Sequence, residues 1–182
     1  MSWREINSNL EKIDKKQIIS IVKAMYTAHK VNKTFLSATF CPNSFDKILE
    51  EAKQQIVNQF FPKRGYGKCN LVVIKKVISN YNKTTNDTVG YLDLMLSYIE
   101  EGTDFINTYG DIKENAYGSM QDTFEKFSTH LKKEQNVVLF DIFKNRIEKL
   151  KDNVYGIGYG FGDEVCGDAE ELLEYFEQTV QL

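Results

Sequence analysis

Apolar residues recur along most of this chain at steps of three and four, the spacing that lines one face of an α-helix. Asp14, with Gln17 three residues later, marks a helix start, and Ile18, Ile21, Val22, Met25 and His29 carry it to about residue 29. Residues 30–40 form a shorter helical piece, with Phe35, Leu36 and Phe40 expected to face inward. Pro42-Asn43-Ser44 reads as a break and a new start. Phe45, Ile48, Leu49, Ala52, Ile56 and Phe60 then make a clean stripe that stops at Phe61-Pro62, and residues 62–68 read as a loop. Asn70 is placed to cap the next element. Its Val and Ile run would suit a strand, but Leu71, Ile74, Ile78 and Tyr81 recur over more than ten residues, and that length favours a helix.

A long helix is expected from Asp87 to about Thr108, with Leu92, Met95, Ile99, Phe105 and Ile106 inward and Gly110 as its end. Asp111 and Glu114 read as the cap pair of a further helix striped by Tyr117, Met120, Phe124, Phe127 and Leu131. Residues 137–154 follow the same rule, the glycine-rich run 155–168 reads as a loop, and Asp168 caps a last helix with Leu172, Leu173, Phe176 and Val180 inward. The sum is an all-α chain: seven or eight amphipathic helices of roughly 12–22 residues, in a bundle or a short stack of helical hairpins.

Composition agrees. At 182 residues the chain suits one domain spanning 1–182, and 42% hydrophobic with 13% aromatic residues supply a core. Only two prolines interrupt it. A net charge of −3 argues against general nucleic-acid affinity. Cys41, Cys69 and Cys166 are odd in number and widely spaced, so neither a disulfide framework nor a zinc–cysteine site is expected, and a reducing cytoplasm fits. The charged start lacks the apolar run of a signal peptide, and no stretch is long and apolar enough to span a membrane.

The candidate chemistry lies between residues 90 and 120. Asp93, Glu100 and Asp104 stand at i, i+7 and i+11, so one helix face presents all three, with Asp111 and Glu114 just beyond the turn. Such carboxylates hold a hard divalent cation or serve acid–base work; the plainer account is a solvated helix face. Asp93 lies at the edge of the apolar run and needs a cation or a tyrosine as partner. Lys63, Arg64, Tyr66 and Lys68 form a basic aromatic loop able to meet phosphate and stack on a base, or simply an exposed turn. His29 and His130 stand near helix C-termini, outside any zinc motif, and the glycines from Gly156 to Gly162 follow a helix, unlike a dinucleotide loop. Neither a cofactor nor a metal is called for. The expected function is a protein–protein interaction or regulatory module without catalysis, meeting an unidentified protein partner, with Trp3 and Tyr66 as candidate anchors. The alternatives are an enzyme using Asp93, Glu100, Asp104 and Asp111, and a nucleic-acid accessory protein using the loop 63–68.

Several segments together resemble a known pattern: Phe60-Phe61-Pro62; Asp93-Leu94-Met95, Tyr98, Glu100 and Gly102; Tyr109-Gly110-Asp111-Ile112; Tyr117, Ser119 and Met120; and the late GYGF with Asp163. The chain is similar over roughly residues 15–175 to an uncharacterised family of small all-helical bacterial proteins, departing from it at Ala116. The resemblance implies a helical fold and a bacterial cytoplasmic origin, and brings no catalytic residue with it.

Overall fold

The computed structural model describes residues 2–41 and 45–180. The break expected at Pro42-Asn43-Ser44 lies outside these residues, as does the side chain of Val180. All regular structure among the described residues is helical: α1 Trp3–Leu10, α2 Lys15–Ala28, α3 Lys30–Phe40, α4 Phe45–Phe60, α5 Leu71–Thr85, α6 Thr88–Tyr109, α7 Glu114–Glu134, α8 Val137–Val154 and α9 Phe161–Val180. These nine exceed the expected seven or eight, since α1, at eight residues, is shorter than the window over which a helical period can be read. Its start is a capping box: Ser2 Oγ accepts from the Glu5 amide (3.4 Å) and Glu5 Oε2 from the Ser2 amide (2.8 Å).

Helix α6 is the centre. Leu92, Leu94, Leu96, Tyr98 and Ile99 are all fully buried, so apolar packing covers most of its circumference, leaving the side that carries Asp93, Ser97 and Glu100. α4, α5, α7 and α8 surround it, and α9 closes against α7 and α8. Asp87 starts α6 by accepting from the Gly90 amide at 3.1 Å, and Gly110 at φ 89° ends it. Leu71–Thr85 is a helix, with Asn70 Oδ1 accepting from the amides of Val72 (3.1 Å) and Val73 (3.3 Å).

Three local expectations are corrected. The cap position of α7 is Lys113, without a side-chain bond, so Asp111 and Glu114 do not cap it. Asp168 lies inside α9, whose start at Phe161 takes in half of the expected glycine-rich loop. The turn is completed at Tyr159 and Gly160, both at positive φ. Phe35 and Phe40 face solvent rather than the core. α1 and α2 bury no residue and α3 buries only Ala38. This arm joins the body through the packing of α3 on α5.

Candidate functional site

Of the three carboxylates predicted to share one face of α6, the fold draws two into a single cluster and leaves the third out. Arg146, on α8, points its guanidinium at α6. Nε and Nη2 donate to Glu100 Oε1 (2.9 Å) and Oε2 (2.5 Å), a bidentate fork, while Nη1 reaches Asp93 Oδ1 at 2.5 Å. Nη2 also donates to Ser97 Oγ at 3.1 Å. The other oxygen of Asp93 meets Lys53 Nζ of α4 at 2.7 Å. Two carboxylates and two cations thus tie α4, α6 and α8 together. Burial works against the Arg146 charge, but Glu100 and then Asp93 outweigh it and hold the guanidinium above its ordinary pKa. With every oxygen of Asp93 and Glu100 engaged, the cluster acts as a three-helix clamp and presents no free carboxylate edge.

Asp104 is exposed one turn beyond, where partial burial raises its pKa. Its neighbour Glu101, absent from the predicted set, is raised by burial and then by Asp104 and Glu100. Asp111 works in a different place. It accepts from the Tyr117 phenol (2.6 Å), the Ile112 amide (2.9 Å) and the Tyr159 phenol (3.4 Å). The Tyr117 hydrogen bond is the main reason its carboxyl lies below the usual range. Tyr117 and Tyr159 stack at 5.1 Å, so Asp111 pins the α6–α7 turn to the α8–α9 turn. His29 and His130 stand apart from all of these; His130 meets the Tyr91 ring edge-on at 5.6 Å. Among the described residues no group of three or more His, Cys, Asp or Glu is placed to hold a metal ion.

In the basic loop, Tyr66 packs edge-on against Phe105 and Tyr109, each at 5.2 Å, leaving Lys63, Arg64 and Lys68 exposed around it. Lys68 and Lys113 share a shallow pocket of about 310 Å³ at the start of α5. The amides of Val72 and Val73 there are already taken by Asn70. A second, more apolar cavity of about 330 Å³ lies between α3, α4 and α5, lined by Val31, Ile48, Ala52, Val77 and Tyr81 among others.

Sequence reasoning missed Arg146, the residue that organises the cluster. A signal was present. The chain has only three arginines, and this one stands three after Phe143 and four before Leu150, inside an apolar stripe. A cation in that register must find a partner on the neighbouring helix.

The motif residues largely serve packing. Phe60 stacks on Tyr98 at 6.1 Å, and the Tyr98 phenol donates to Ser119 at 3.0 Å. A Cβ on Gly102 would collide with the Met120 sulfur, so glycine there lets α6 and α7 approach. Residues 1–161 match the model of a family of unknown function, DUF6155. No curated protein and no solved structure matches the chain.

Proposed function

Because the chain belongs to DUF6155, a family of unknown function, we propose a role argued from its surface: a protein–protein interaction module that docks through the arm α1–α3. The observation that carries this reading is an apolar arm without cover. Trp3 is 70% and Phe40 71% exposed, and Ile19, Met25 and Phe35 are each about half exposed. At 100° per residue, Ile18, Ile19, Ile21, Val22, Met25 and Tyr26 fall on one side of α2. An apolar face of this extent on a folded chain marks an interaction site. Among the described residues no helix is long and apolar enough to cross a membrane.

The alternative, a metal- or acid–base-dependent enzyme built on residues 93–114, has less support, since Arg146 and Lys53 already answer Asp93 and Glu100.

The test compares the immobilised full chain with its Ile19→Glu/Met25→Glu variant as bait in lysate of the source cells. The variant is expected to keep its helical circular dichroism and lose proteins that the unaltered chain retains. Identical retained sets would remove the reading.

A further inference from the structure

Taking the arm to be a docking surface, as above, charge points to its occupant. Residues 1–41 carry seven Lys or Arg against three Asp or Glu. α9 is the opposite, with seven carboxylates and no Lys or Arg between Phe161 and Val180. Glu170 and Glu171 of α9 pair with Lys151 and Lys132. Asp163, Glu164, Glu174 and Glu177 remain exposed. The crowding has a physical mark: Asp168 is raised above the ordinary carboxylate range, first by burial and then by Glu171, Glu125 and Glu164. Beside α9, helix α8 turns Val138 and Ile142, four residues apart, to solvent at 72% and 53%. The α8–α9 pair therefore combines apolar contact with unanswered negative charge. The arm combines apolar contact with surplus positive charge.

Within one chain the two surfaces are held apart. α2 packs on α3 and α3 on α5, while α9 packs on α7 and α8, with α6 between the two groups. Each surface can meet its complement only on another molecule.

We propose that the occupant is a second copy of this chain, the basic apolar arm of one lying on the acidic α8–α9 face of the other. Area supports it. The arm has ten large apolar side chains at least 38% exposed; the four aromatic ones, Trp3, Tyr26, Phe35 and Phe40, alone offer on the order of 450 Å² at roughly 150–250 Å² each, and Ile6, Ile18, Ile19, Ile21, Met25 and Val31 add to it. A stable interface needs about 800 Å² per partner. The contact joins unlike surfaces, so it closes as a reciprocal pair or a ring, or runs on as an open array. An anionic membrane would answer the charge of the arm and leave the acidic face of α9 without a role.

The experiment is sedimentation velocity on the full chain over rising concentration at low and high salt. It is repeated with Lys16→Glu/Lys23→Glu, with Glu174→Lys/Glu177→Lys and with all four changes in one chain. All these positions are exposed, and circular dichroism checks that each variant is folded. Dimers or larger species are expected at low salt. Either reversal should weaken association by roughly tenfold or more, and the fourfold chain should recover it. Salt should weaken the contact as it screens the charges. A monomer at every concentration overturns the proposal, as does association indifferent to the α9 reversal. So does a monomer that binds phosphatidylglycerol–phosphatidylcholine vesicles through the arm. If the chain is monomeric yet Ile19→Glu/Met25→Glu still loses captured proteins, only self-association falls. If it is monomeric and captures the same proteins with and without those changes, the docking reading falls with it.

Discussion

Helices α2 and α6 obey the same periodicity and end in opposite circumstances. α2, 14 residues long, buries none of them; α6, 22 residues long, buries twelve. Both have a side-chain N-cap, Asp14 for α2 and Asp87 for α6. The difference lies in their neighbours. α6 has four helices around it, whereas α2 has α3 as its main contact. A helical stripe is a demand for apolar cover, and a chain is free to leave that demand for another molecule to meet.

The contrast can be broken at several points, beginning where the body is tightest. Arg146→Met removes the cation that answers Glu100 and half of Asp93, leaving two partly buried carboxylates to Lys53 alone. Removing one partner of a buried pair costs about 3–5 kcal/mol; with Arg146 about a third exposed, roughly 2–3 kcal/mol is expected from urea unfolding. A loss under 1 kcal/mol would mean that the cluster is a surface ornament.

Thr103→Val should act in the other direction. Thr103 is fully buried, and its Oγ1 has no hydrogen-bond partner among the described residues. Replacing the hydroxyl with a methyl of similar shape should raise stability by about 1 kcal/mol, read from the urea midpoint. A destabilised variant would reveal a role for that oxygen.

The turn contact gives a weaker effect with a pH signature. The Asp111 carboxyl is held down mainly by Tyr117, so its contribution is present above about pH 4 and lost as pH falls through its folded value. The Tyr117 phenol is pushed up to about 12, by burial first and by Asp111 next, so its contribution is intact below about pH 10 and lost as pH rises towards 12. Tyr117→Phe should flatten the stability profile at both ends. An unchanged profile would mean that the two turns are not coupled through this bond.

The smallest effect is expected in the arm. Ile19→Glu/Met25→Glu places charge at positions already about half exposed, so the unfolding free energy should move by less than about 0.5 kcal/mol per change. A loss of several kcal/mol would show that the arm belongs to the core after all, and would erase the contrast with α6.

Much of this was legible before any coordinates. The helix over 137–154, the Asn70 cap, the helix running from about Asp87 and the Gly110 stop follow from local rules, and the structure agrees. Local rules failed where a residue had two possible uses. Asp111 has the look of a cap but accepts from Tyr117 and Tyr159, the latter 48 residues away. Phe35 and Phe40 have the spacing of core residues yet face solvent.

Periodicity and capping act within a few residues, so the sequence alone determined that the chain is helical, where most helices begin and end, and which side of most of them is apolar. Tertiary structure decided which apolar sides are covered, and that Asp93 and Glu100 meet Arg146 from 46 or more residues away. Those outcomes depend on which helices pack together, a choice made by the summed burial of the whole core, which no local stretch of sequence encodes.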